Sequence, residues 1–292
     1  MKIKFILLPL TILAVACGNG NNKSDAYGNF EAVEVLVGAE AQGRVIQFNA
    51  EEGQKLNKGQ VVGYIDTIPL FLKKEQLIAQ MEAMKARLTE VQSQIAVQEE
   101  QKKSLVREKN RTSKLVSANA APSKQLDDIN SQLDVLNSQV VSTSTQNQSI
   151  AGDIKALYFQ VAQVKDQIVK SIIRNPIDGN VLEKYIEPGE IAIPGKSLYK
   201  IADLSMLKLR VYISGAQLPN VKIGQKVSVF IDKNKERNRK LEGTVSWISQ
   251  QAEFTPKIIQ TKDERVDLVY ATKIDVINDG SLKIGMPGEV KF

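Results

Sequence analysis

The chain has 292 residues, a formal charge of +6, 5% aromatic residues, one cysteine and no histidine. Without histidine it has no Ser-His-Asp or Cys-His nucleophile and no imidazole metal ligand, and one cysteine makes neither an internal disulfide nor a thiolate cluster. An N-terminal leader carrying Lys2 and Lys4 would take two positive charges with it, leaving about +4, too weak for a nucleic-acid binder, which wants a clustered basic stripe. The length suits several small cores, and the low aromatic content suits a long coiled hairpin plus small β domains better than one large globule.

Residues 1–16 read as a signal peptide, with a short basic start and an apolar run from Phe5 to Ala16 that falls short of the ~20 residues needed to span a bilayer. The run ends in Leu13-Ala-Val-Ala-Cys17, and residues 17–27 are a polar, flexible tether. This junction resembles a bacterial lipobox, which implies lipidation of Cys17; the departure is Ala14, where leucine is preferred. The acyl chains would hold the protein at a membrane through about 0.8 kcal/mol per buried methylene. An ordinary signal peptide with an incidental cysteine is the plainer alternative.

A glycine-punctuated β motif then appears twice. The first copy runs from Gly43-Arg-Val-Ile-Gln-Phe through Gly53 and Gly59 to Asp66, and the second from Asn175-Pro-Ile-Asp-Gly179 through Gly189 and Gly195 to Asp203. Each alternates apolar residues with glycines at turn positions, and neither has strand enough to close a core alone. The spacing predicts that 28–66 and 172–203 pair into one small β sandwich.

Between the halves, 67–171 reads as an antiparallel helical hairpin. The second arm carries a seam at Leu126, Ile129, Leu133, Leu136, Val140, Ile150, Ile154, Leu157, Val161, Val164 and Ile168, with Thr143 and Asn147 filling the two remaining positions. The first arm shows the same rhythm at Leu77, Met81, Met84, Leu88, Val91 and Ile95, then Gln98, Lys102 and Leu105. No proline interrupts either arm, so each is roughly 70 Å long. The turn lies near 116–123. Folding about it sets Gln98 near Thr143 and Ile95 near Asn147, which is either a polar layer that fixes register or the frayed middle of a long hairpin.

Residues 204–292 predict a small antiparallel β-barrel, with strands at Leu207–Ile213, Lys226–Ile231, Leu241–Ile248, Leu268–Ile277 and Gly288–Phe292. Within Lys233-Asn-Lys-Glu-Arg-Asn-Arg-Lys240, the residues Lys233, Lys235, Arg237, Arg239 and Lys240 form either a solvated hairpin turn or a contact for anionic headgroups or an acidic transporter surface.

The whole is an α+β chain: a long coiled-coil hairpin inserted in a split lipoyl-like β sandwich, followed by the barrel. In this order the parts resemble the HlyD-type periplasmic adaptors, or membrane fusion proteins, over residues 28–292. Val221-Lys-Ile-Gly and Leu282-Lys-Ile-Gly-Met-Pro-Gly are similar to turns of that family's barrel domain. Glu253-Phe-Thr-Pro-Lys257 and Arg265-Val-Asp-Leu-Val-Tyr270 resemble the subgroup working with ABC-type exporters. The resemblance implies a non-catalytic, cofactor-free subunit, lipid-anchored in the inner membrane and ring-forming, with a hexamer expected. It would join an ABC-type transporter to an outer-membrane channel of the TolC type. A further membrane-proximal domain, carried by some adaptors, is expected to be largely missing.

The family's tip pattern of arginine, leucine four residues on and serine past the turn maps to Arg111, Leu115 and Ser123, with one residue too many between the last two. Either the turn is wider, or Pro122 takes the serine's place. The alternative for the tip is that Leu115 closes the hairpin core while Arg111 is solvated. Two rivals remain for the whole chain. A biotinyl or lipoyl carrier would need a lysine at the sandwich's hairpin tip, and Ile65-Asp-Thr-Ile-Pro69 offers none. A structural lipoprotein would use the coiled coil only as a spacer.

Overall fold

Strands this short cannot close a core within either half of the repeat, so each half takes its partners from the other. The computed structural model describes residues 24–234, 237–254 and 268–292. They fall into two units, 34–202 and the paired segments 24–33 and 203–292. Strand β1 (Ala26–Glu31) belongs to the second unit. The first runs β2 (Glu34–Gly38), β3 (Gly43–Phe48), β4 (Lys55–Leu56), β5 (Val61–Ile65), α1 (Ile68–Ser117), α2 (Ser123–Lys170), β6 (Ile172–Arg174), β7 (Gly179–Lys184), β8 (Ile191–Ala192) and β9 (Ser197–Ala202).

Its strands form two sheets, ordered β2-β9-β7-β4 and β6-β5-β3-β8, and each draws two strands from each half. The exchange is reciprocal. The Val45 amide donates to Glu190 O at 2.8 Å and the Val45 carbonyl accepts from Gly189 at 2.8 Å. At the equivalent place in the other copy, the Val181 amide donates to Gln54 O at 2.9 Å and the Val181 carbonyl accepts from Gly53 at 2.8 Å. Gly53 and Gly189 both hold positive φ, the backbone these turns require. Val45, Phe48, Leu56 and Ile65 of the first half share one buried core with Val181, Ile186, Leu198 and Ile201 of the second.

Asn175, 1% exposed, locks that core. Its Oδ1 accepts from the Tyr199 hydroxyl at 2.9 Å, and its Nδ2 donates to Asn57 O at 3.0 Å and Ile177 O at 2.5 Å. Its backbone amide and carbonyl bond Gln60 O and the Gly59 amide. Every polar group of this residue is therefore met, mostly by the opposite half. The Tyr199 ring packs on Phe48 with centroids 5.8 Å apart.

Strands β5 and β6 are neighbours in one sheet and lead into α1 and out of α2, so the helices must run side by side in opposite directions. Asp66 Oδ1 accepts the Ile68 amide at 2.9 Å to start α1, and Pro69 stands in its first turn, where its missing donor costs nothing. The thirteen seam positions predicted for α2 are all buried or half-buried, as are the nine predicted for α1. At the far end, α1 closes with a Schellman motif: Ala120 donates to Leu115 O at 2.8 Å and Asn119 to Val116 O at 2.9 Å. Asn119 takes the left-handed conformation this closure needs, φ 59°.

In the second unit, β10 (Met206–Ser214), β11 (Lys226–Asn234), β12 (Arg237–Ile248), β14 (Leu268–Ile277) and β15 (Pro287–Lys291) are the five predicted barrel strands, and β13 (Glu253–Phe254) adds to the edge of β14. Five strands leave a gap between β10 and β15, and β1 fills it to close a six-stranded antiparallel barrel. This corrects the sequence reading, which gave residues up to 27 to the tether and 28 onward to the sandwich. Ala26 and Phe30 of β1 point into the barrel core. Between them, Gly28 is squeezed so tightly that an added Cβ would lie 1.7 Å from Arg210 O.

Three outcomes follow from this packing. Asn175→Ala strands the Tyr199 hydroxyl and two carbonyls, and urea unfolding is expected to show a loss of about 2–4 kcal/mol. Burial pushes the Tyr199 hydroxyl up from its ordinary value, so the folded chain holds this proton more tightly than the unfolded one. Its contribution is complete below the usual tyrosine value near pH 10 and declines above it, and Tyr199→Phe should flatten that alkaline decline in urea titrations. At the helix turn, Asn119→Val should cost about 1–2 kcal/mol in thermal melts while Asn119→Gly costs nothing.

Candidate functional site

The far end of the hairpin is where both helices run out of intrahelical partners, so its surface is set by a few side chains and the turn between them. Heptad continuation from Leu105 leads to Thr112, which is buried, and Val116 behind it is half-buried. These two close the seam from the α1 side, with Leu126 half-buried on α2. Thr112 was not singled out from the sequence, although its place seven residues after Leu105 marks it.

Leu115 therefore does not close the hairpin core. It stays 45% exposed, one turn beyond Arg111 on the same flank of α1. Arg111 is solvated and leans on Glu108, with Nη2 3.1 Å from Oε2. Pro122 caps α2 in an extended conformation and Ser123 is the first, exposed residue of the helix. The turn is thus the five residues 118–122, and Ser123 opens the second arm. An apolar side chain, a guanidinium and a helix-start hydroxyl are thus each exposed toward the far end of the hairpin.

Just below the tip, one flank of the hairpin carries a shallow groove with Leu105 and Leu136 as its floor and Gln101, Ser104, Ser131 and Gln139 along it. No charged residue lines it. Where a carrier would present its lysine, Ile65–Pro69 runs straight from β5 into α1.

The basic stretch spans the β11–β12 hairpin, whose strands pair as far as Asn234 and Arg237. Arg239 is engaged there: it pairs with Asp279 and donates to Ser281 Oγ at 3.1 Å. Ser281 and Arg239 together hold the Asp279 carboxyl well below the usual carboxylate range. Lys240 is exposed. Cys17 and Lys235 lie outside the described residues, as do the side chains of Lys233 and Arg237. Among the described residues no helix is long and apolar enough to cross a membrane.

Residues 33–204 match the model of the barrel-sandwich hybrid domain of RND-type membrane fusion proteins. A UPF0194 membrane protein of Yersinia enterocolitica is 25% identical over all of this chain and 99% of its own length. A second such protein, from Yersinia pestis, is 27% identical over 91% of this chain and 88% of its own. The crystal structure of MacA from Actinobacillus actinomycetemcomitans superposes with a TM-score of 0.59 at 21% identity, covering 91% of this chain and 76% of that one. The membrane fusion protein Spr0693 of Streptococcus pneumoniae R6 gives 0.55 at 17% identity, with 91% and 99% covered. With more than half its length matched by the family model, and with the sandwich, hairpin and barrel in that order, the chain belongs to the membrane fusion protein family of periplasmic adaptors.

Proposed function

We propose that this adaptor is a non-catalytic subunit of a tripartite efflux or secretion system, joining an inner-membrane transporter to an outer-membrane channel of the TolC type. The observation that carries the reading is the division of labour at the tip. Thr112 and Val116 close the seam, which leaves Leu115 and Arg111 displayed with no role in holding the hairpin together. Leucine fills a groove on the channel, and Arg111 and Ser123 hydrogen-bond to exposed carbonyls at its helical end.

Lipidation of Cys17 holds the chain at the inner membrane in this reading, and Lys240, with its basic neighbours, meets headgroups or the transporter. Side-by-side packing of hairpins into a ring, a hexamer by family likeness, is supported by the uncharged groove on the hairpin flank. The transporter is taken to be of the ABC type on the resemblance around Glu253 and Tyr270. The family model's RND designation supports the other class, and co-purification of the transporter decides between them.

The test of docking is photo-crosslinking in cells from positions 115 and 123, with position 97 on the mid-hairpin flank as control. The expected product is an adduct with an outer-membrane channel from the tip alone, lost in Leu115→Asp. Tip positions that capture no channel protein would leave the coiled coil a mere spacer. Arg111→Ala should weaken the adduct while changing stability by less than about 0.5 kcal/mol, because its ion pair is exposed. An intact mass carrying lipoate or biotin on an internal lysine would instead make the chain a carrier.

A further inference from the structure

The hairpin seam is not uniform. Below its middle it is apolar on both sides, with Leu77, Val161 and Val164 buried in one cluster and Leu70, Ile78, Leu157 and Ile168 packed against it. The next buried apolar residues upward are Val91 on α1 and Ile150 on α2. Then come Gln98 on one arm and Thr143 and Asn147 on the other. Gln101 and Gln139 share one groove, as do Leu105 and Leu136, so the arms run in a register that sets Gln98 at the level of Thr143.

At this level and one turn below it, the side-chain oxygens of Gln98 and Asn147 are buried with no hydrogen-bond partner. The nearby hydroxyl cannot serve them, because Thr143 Oγ1 donates to the Gln139 carbonyl at 2.9 Å. Beyond the layer the α1 seam continues as Lys102, Leu105 and Thr112 against the apolar α2 positions Val140, Leu136, Leu133, Ile129 and Leu126, so the distal seam is apolar mainly on one arm, whereas the basal seam is apolar on both.

We infer that the layer of Gln98, Thr143 and Asn147 is a built-in opening point that divides the hairpin into two units of unequal stability. Two buried acceptors without donors make the closed layer costly, and water satisfies both as soon as the arms part. A seam apolar mainly on one arm holds the distal half less firmly than the two-sided cluster below, which stops the opening from spreading to the sandwich. Back-bonded hydroxyls on the same stretch, Ser138 to Asp134 O and Thr145 to Val141 O, soften α2 around it. The segment that opens, about 99–142, is the one that carries the tip. The inference concerns the hairpin's own mechanics and stands whether or not the tip docks a channel.

Hydrogen–deuterium exchange of the full chain tests it. Amides of 99–142 are expected to exchange at least about tenfold faster than those of 72–95 and 150–168, with the change falling as a step at the layer. Protection that falls smoothly from base to tip would mean ordinary end fraying and would overturn the inference, as would exchange of the whole hairpin as one unit. Gln98→Leu/Asn147→Leu, which fills the layer with apolar side chains, should slow distal exchange about tenfold or more and erase the step, with helicity by circular dichroism unchanged. A folded double variant whose distal half exchanges as before would equally overturn it. Should the variant misfold, the step in the unmodified chain decides alone.

Discussion

The structure depends on one exchange: neither half of the glycine-punctuated repeat can satisfy its own backbone or bury its own apolar face. Each gives strands to the other's sheet, and the bonds Val45 makes to the Gly189 turn are repeated by Val181 at the Gly53 turn. Asn175 sits where the two halves cross and binds backbone of the first half while its side chain receives the Tyr199 hydroxyl of the second. A buried amide with every partner in place specifies one arrangement, because any slip strands several polar groups at once.

The hairpin follows from that exchange. Once β5 and β6 are neighbours in a sheet, the 105 residues between Asp66 and Ile172 must leave and return at the same place. Two continuous helices meet the requirement, and a Schellman turn on Asn119 reverses the chain in five residues. The same economy leaves the Leu115 side chain out of the seam. Because Thr112 and Val116 close the seam, the exposed Leu115 side chain takes no part in holding the arms together.

Much of this was legible in the residues. Periodicity alone located the α2 seam, since heptad spacing is a direct geometric consequence of helix packing. Strict alternation located five barrel strands. The sixth was missed because β1, Ala-Tyr-Gly-Asn-Phe-Glu, has glycine where an inward side chain would stand and so shows no clean period. That glycine is demanded by close approach to Arg210 O, a contact made with a residue about 180 positions away. The bonds of Asn175 and the engagement of Arg239 by Asp279 were out of reach for the same reason: both depend on which distant turns meet. The tip was read in part. The spacing of Arg111, Leu115 and Ser123 was plain, but only the fold shows that the turn takes residues 118–122 and that Leu115 is left outside the seam.

The shared sandwich can be tested most directly by through-space proton contacts in the intact chain. Nuclear Overhauser effects are predicted between Val45 and the Gly189–Glu190 turn and, as their mirror, between Val181 and the Gly53–Gln54 turn. Contacts confined within 34–66 and within 172–202, with neither cross-pair present, would contradict the account.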